Sequence, residues 1–463
     1  MSGNVSPRWM PVRAYAARIA EGTMRAAEVV EEMTDAERRL RHLNAFVRHD
    51  GEAARRRAAA GGFRGALGGV VLAHKDMIYR DGRVTTCGSR LFEGVAARET
   101  ATVLRRLDAA GALDLGTLHM AEFAHNSTGH NAFLGPARNP WNPAHITGGS
   151  SSGPGVAVAA GLIHGALGSD TGGSIRLPAH FCGVTGLKPT TGLVSRGGCM
   201  PLSFSLDTIG PMARSAEDVA ALLAPLVGAD PRDPTAEHAP AADYVAACDM
   251  PVAGLRVGLP TGFYTEGLTP DVAAALDACV RVLERLGVEL RPVDLPDQDG
   301  LSAAQLVLVA SEAASQHRET LFTDAPYDPQ IHNRLVNGLG YSAQDYLYAL
   351  RGRGAALAAH LAAIEGFDAV LTPVAPFDAP TLAETDIGGG PEAEALIQSI
   401  SRFMRPANYF GVPALAFPAG FSGRGLPVGL QLVGRPFGEP TLFALASAYQ
   451  RVTEHHRLMP PGV

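Results

Sequence analysis

Thr147 to Gly155 reads TGGSSSGPG, three consecutive serines between a glycine pair and a Gly-Pro-Gly. Three readings compete for it: a linker, a phosphate loop, or an active-site turn. A linker has room around it, whereas here helical sequence from Val156 to Gly161 and a short strand from Gly165 to Asp170 follow at once. A P-loop has Lys-Ser or Lys-Thr after its last glycine and a dinucleotide fold has G-x-G-x-x-G, and neither is present. The active-site reading gains from a second loop, GSDTGGSIRLP at Gly168 to Pro178. Ser150 and Ser174 each follow a glycine pair, which permits a sharp turn that points a hydroxyl and neighbouring N–H groups into a shared cavity. Neither Ser150 nor Ser174 is the central serine of a G-x-S-x-G hydrolase elbow.

A serine nucleophile needs a base. Of fifteen histidines, His74, His119, His125, His130, His145, His164 and His180 lie near the loops in sequence. None is marked out by spacing, and each reads more simply as a partner in a local hydrogen bond. The better candidate is Lys75 in VVLAHKDM, at the end of a β-branched strand where a buried ammonium is costly. The plainer alternative is a strand-end lysine paired with Asp76. A base must be neutral, and an ordinary lysine near pKa ~10.4 is neutral at pH 7 only if burial lowers it.

Strand, helix, strand recurs along the chain: GGVVLAHKD, ETATVLRRLDAAG, ALDLGT; then LRVGLP, DVAAALDACVRVLERLG, VELRPVDLP; then DAVLTPVAP and GLPVGLQLVGRP. This is the rhythm of an α/β protein whose sheet is covered by helices. Residues 1–62 read as a helical lead-in, 63–228 as the core that carries the serine loops, and 229–463 as the rest of the same sheet. The Pro- and Asp-rich stretch Ala229 to Pro251 reads as an excursion within one 463-residue domain and less well as an interdomain linker. The net charge of −7 argues against a nucleic-acid or anionic-membrane surface. Arg55, Arg56, Arg57 and Arg64 read as a solvated helix face. Five scattered cysteines without a C-x-x-C pair, and no apolar run of membrane-spanning length, predict a reduced, soluble, cytoplasmic protein.

Together, HKD at Lys75, GGSSSG at Ser150 and DTGGSIRLPA at Ser174 resemble the amidase signature family of Ser-cisSer-Lys hydrolases. NPW at Asn139, GLKPTTG at Gly186, DTIGPMARS at Asp207, PANYFGVPALAFPAGF and GLPVGLQLVGRPF extend the likeness over nearly the whole chain. The resemblance implies one large twisted mixed β-sheet covered by helices on both faces. It makes Ser174 the acylated nucleophile, Lys75 the ultimate base, and Ser150, after a cis peptide bond from Gly149, the bridge between them. The N–H groups of Thr171, Gly172, Gly173 and Ser174 would form the oxyanion hole. Asp170 and Arg176 would brace that loop, Ser151 would donate from behind, and Ala124, Asn126, Ser127 and Thr128 would line the acyl pocket. The family usually has GGSSGG. Ser152 departs from it, with an expected effect on the turn and none on the proton relay.

The activity implied is hydrolysis of a small-molecule carboxamide, extending to aryl amides, esters or carbamates (a urethanase), by a monomer or homodimer with no metal or organic cofactor. AHNST at Ala124 to Thr128 is small and polar, which disfavours a long acyl chain. Ser311 to Tyr348 and DIGGGP at Asp386 to Pro391 are expected to be variable pocket walls or lids. The alternative is the glutamine-hydrolysing A subunit of a tRNA-dependent amidotransferase. Against it, the acidic residue with which those subunits hold the amino group of glutamine falls near Ser401. A third reading, from a different class, is a non-enzymatic nucleotide-binding module built on the glycine-rich loops.

Overall fold

The β-branched run after Gly68-Gly69 forms β2 (Val71–Lys75), and every residue of it is buried. A strand covered on both faces reads this way, as a continuous apolar run with no polar alternation. The computed structural model describes residues 6–236, 239–386 and 391–463. Ten further strands join β2 in one sheet: β1 (Phe46–His49), β3 (Leu113–Leu118), β4 (Gly165–Asp170), β5 (Thr185–Lys188), β6 (Thr208–Ala213), β7 (Arg256–Pro260), β8 (Glu289–Val293), β9 (Ala369–Pro373), β10 (Ala414–Phe421) and β11 (Pro427–Val433). Their order is β1-β3-β2-β4-β6-β5-β10-β11-β9-β7-β8. β2 runs parallel to β3 and β4, and β7 parallel to β8 and β9. The other pairings, β4 with β6 and β10 with β11 among them, are antiparallel, so the sheet is mixed.

Strands from both sides of the 229–251 stretch enter this one sheet, where β5 pairs with β10. The alternating pattern located the centre well: β4 has the predicted bounds, β2, β7, β8, β9 and β11 fall within their predicted runs, and β3 runs one residue past its own. Two expectations need correction. The lead-in is not wholly helical: Asn44 takes a left-handed turn (φ 54°), after which β1 pairs antiparallel with β3 at the sheet edge. The helix after the serines runs Ser152–Ala159, four residues ahead of the predicted start at Val156, because Ser152–Gly155 is itself the first helical turn. The presumed wall Ser311 to Tyr348 is largely helical, formed by the ends of helices Gln298–Gln316 and Ala343–Ala363 with Pro329–Gly338 between them. The other presumed wall, Asp386 to Pro391, falls for the most part outside the described residues. Among the described residues no helix is long and apolar enough to cross a membrane.

Candidate active site

The two serine loops leave the sheet at its centre. β4 ends at Asp170, and DTGGS turns from it into the short helix Arg176–Cys182. The GGSSS turn feeds helix Ser152–Ala159, whose eight residues are all buried. The loops are tied together where Ser151 N–H donates to Ser174 O at 3.2 Å. The Gly149–Ser150 peptide bond is cis. Glycine is required at 149 because a Cβ there would lie 2.6 Å from Asn126 O, so the 124–128 loop packs directly on this peptide.

β2 delivers Lys75 to the same point. Its side chain is wholly buried, and its ammonium donates to Ser150 Oγ at 2.6 Å and to Ser169 Oγ at 2.8 Å. Burial lowers its pKa to about 7 even though the Asp207 and Asp170 charges pull it up. The plainer alternative, a lysine paired with Asp76, does not hold: Asp76 Oδ2 instead accepts from the Thr86 amide at 3.0 Å and from Thr86 Oγ1 at 2.5 Å. Ser174 is half-buried, and its hydroxyl has no hydrogen-bond partner among the described residues.

Asp170 organises the turn beyond β4. Its Oδ1 accepts from Gly173 N–H at 2.8 Å, from Arg176 Nη2 at 3.0 Å and from Asn408 Nδ2 at 2.8 Å; its Oδ2 accepts from Ile175 N–H and Arg176 Nε, both at 3.1 Å. Both members of the Asp170–Arg176 pair are fully buried. Burial alone would raise the Asp170 pKa, but the Arg176 charge and the hydrogen bonds from Arg176 and Asn408 outweigh it and hold the carboxyl well below the usual range. Arg176 is completed by Gln431 Oε1 at 2.9 Å and Asn408 Oδ1 at 2.6 Å. These contacts divide the four N–H groups from which an oxyanion hole is expected. Gly173 N–H is already engaged by Asp170, whereas the N–H groups of Thr171, Gly172 and Ser174 have no partner among the described residues. Gly173 lies at φ +119°, and a Cβ there would meet Met404 Sδ at 2.5 Å.

The pocket loop sits beside the cis peptide. Phe123 and Ala124 are both left-handed (φ 49° and 60°). Asn126 Oδ1 accepts from the Thr128 amide at 2.9 Å and Thr128 Oγ1 at 2.8 Å, and Ser127 O accepts from Gly149 N–H at 2.8 Å. Asn126 Nδ2 reaches Gln330 Oε1 at 3.2 Å, which brings the Pro329–Gly338 helix onto the loop. Ser151 Oγ meets the backbone of Ser169, donating to its carbonyl at 3.2 Å. Ser152 turns away from Lys75: its Oγ pairs with His119 Nδ1 at 2.9 Å. His145 and His180 bond the carbonyls of Ala379 and Phe377, so both have local structural partners.

Four residues at the site escaped sequence reasoning. Ser169 is the second hydroxyl that accepts from Lys75. Asp207 accepts from Thr171 Oγ1 at 2.6 Å, and Asn408 and Gln305 reach the 170–173 turn from distant segments. Ser169 had a local signal as a polar residue on a buried strand next to the Asp170 turn, and Asp207 and Asn408 lie in the DTIGPMARS and PANYFGV motifs, which gave them no role; Gln305 had none.

The amidase family model matches residues 28–443. The chain is 38% identical over 482 aligned positions to the A subunit of glutamyl-tRNA(Gln) amidotransferase from Thiobacillus denitrificans, covering 97% of this chain and 98% of that one. A structure described as a vestigial protein complex that reveals the evolutionary origins of an s-triazine catabolic enzyme superposes with a TM-score of 0.89 at 33% identity, covering 96% of this chain and 98% of the other. 6-Aminohexanoate cyclic dimer hydrolase, solved with its substrate, superposes at 0.90 with 26% identity, over 98% and 99% of the two chains. A likeness of this extent in both sequence and fold leaves one assignment: the chain belongs to the amidase signature family, enzymes that act on carbon–nitrogen bonds.

Proposed function

We propose that the protein hydrolyses a carboxamide C–N bond through an acyl-enzyme on Ser174. The observation that carries this is the buried Lys75, hydrogen-bonded to Ser150 Oγ at 2.6 Å with its pKa lowered by burial to about 7. Above that pH the amine is neutral. It takes the Ser150 proton as Ser150 takes that of Ser174, and Ser174 Oγ attacks the carbonyl carbon. The tetrahedral oxygen is held by the N–H groups of Thr171, Gly172 and Ser174. As the C–N bond breaks, the relay returns a proton to the leaving nitrogen. Water then repeats the sequence to release the acid and restore Ser174. Ala124, Asn126, Ser127 and Thr128 line the acyl side, with Ser151, Asp170 and Arg176 supporting the two loops.

The names of the relatives favour a second reading for the substrate, glutamine hydrolysed within a tRNA-dependent amidotransferase. On that reading the protein is one component of an assembly, and its mild negative charge says nothing about RNA bound elsewhere in it. The position expected to hold the glutamine amino group falls near Ser401, which is not acidic and accepts from Arg405 Nη2 at 2.8 Å, and this favours an amide without that group. Turnover of glutamine, primary amides, aryl amides, esters and carbamates is measured side by side, with Ser174→Ala and Lys75→Ala as controls. Loss of activity in both variants is expected, and full activity in either refutes the relay. Ammonia release confined to glutamine, with small partner proteins co-purifying, would establish the second reading.

A further inference from the structure

We infer that Gln305 is a positioning residue of the oxyanion hole, orienting the Gly172 N–H by holding the carbonyl of the same peptide unit. The inference rests on the acyl-transfer reading above. Gln305 lies on the Gln298–Gln316 helix and is 1% exposed. Its Nε2 donates to Thr171 O at 2.9 Å, and a Cβ placed on Gly172 would lie 3.2 Å from that nitrogen.

In a trans peptide the C=O and the following N–H point in opposite directions. Fixing the Thr171 carbonyl against Gln305 therefore fixes the Gly172 N–H on the other side, where it has no partner among the described residues. The constraint matters because two successive glycines leave this peptide with little steric preference of its own. Its neighbours are pinned independently: Thr171 Oγ1 to Asp207 Oδ1 at 2.6 Å, and Gly173 N–H to Asp170 Oδ1 at 2.8 Å. Without Gln305 the peptide between those two anchors is free to tilt.

Stability does not account for a glutamine here. Gln305 Oε1 is buried with no hydrogen-bond partner among the described residues, and an unmet amide oxygen offsets what the Nε2 bond gains. A methionine of similar length would exchange one unmet acceptor for another. What it would lose is the direction of the N–H.

A fluorophosphonate probe tests this without knowledge of the substrate. Ser174 Oγ bonds to phosphorus as the P–F bond breaks, fluoride departs, the hydroxyl proton passes to Ser150 as Ser150 gives its own to Lys75, and the phosphoryl oxygen occupies the hole. Losing an oxyanion donor outright costs ~10²–10³ in rate, so misaligning one should slow labelling of Gln305→Met about tenfold. The midpoint of its pH–rate profile should stay with the wild type, because Lys75 is untouched. Its melting midpoint should move by no more than about 2 °C. Gln305→Leu, which has no donor in any protonation state, should be at least as slow. Labelling of both variants at the wild-type rate, with Ser174→Ala unlabelled, overturns the inference and leaves the acyl-transfer reading standing. Wild-type labelling of Ser174→Ala would overturn that reading itself. A slowed Gln305→Met whose pH midpoint also moves would make the role general and structural, and would overturn the inference too.

Discussion

Lys75→Met should make the protein more stable at pH 6 and lose that advantage by pH 9. Burial lowers the Lys75 pKa from 10.5 to about 7. At ~1.4 kcal/mol for each tenfold in proton affinity, this sets ~5 kcal/mol against the charged form in the fold. At pH 6 both folded and unfolded lysine are largely protonated, so nearly all of that cost is present. Methionine removes it but gives up the bonds to Ser150 Oγ and Ser169 Oγ, worth ~1 kcal/mol each, for a net gain of ~3 kcal/mol. Above pH 7 the folded lysine releases its proton while the unfolded one keeps it. The unfolded state then binds more protons, and wild-type stability rises with pH by ~3 kcal/mol up to pH 9. The variant has no such proton, so its advantage should fall to near zero. Lys188, also lowered to about 7 by burial, is present in both proteins and cancels. Urea denaturation of the two proteins at pH 6 and pH 9 measures the difference. An advantage that does not change with pH, or that grows as pH rises, would refute a neutral-leaning Lys75 and with it the base role.

Asp170→Asn strips the charge from a fully buried pair and leaves Arg176 uncompensated, so a loss of ~3–5 kcal/mol in unfolding free energy is expected by denaturant titration. Loss of activity should accompany it, because the same carboxylate holds Gly173 N–H. Ser152→Gly restores the residue usual in the family and removes the bond to His119 Nδ1. It should cost ~1 kcal/mol of stability and leave the fluorophosphonate labelling rate within about twofold, since Ser152 points away from Lys75.

What the sequence reveals about this site divides by the range of the forces involved. Lys75, Ser150 and Ser174 are legible because each sits in a short motif with an evident local oddity: a lysine ending a buried strand, or a serine after two glycines. β4 and β7 are legible because short apolar runs bounded by polar or glycine residues mark buried strands without outside help. β1 is hidden because four residues in an otherwise helical stretch become a strand only through the free edge of β3. The roles of Gln305, Asn408 and Gln431 are hidden for the same kind of reason, although the last two lie in motifs that carry the family likeness. Each is an ordinary amide in a helix or strand, made consequential by a partner more than a hundred residues away: Thr171 O for Gln305, and Arg176 for the other two. The division also bears on Gly173. Its place in GGS suggests an oxyanion donor, yet its N–H is taken by Asp170, a hydrogen bond that only the folded turn makes. Local sequence names the groups that could react, and the distant amides and carboxylates decide which N–H groups stay free to meet the oxyanion.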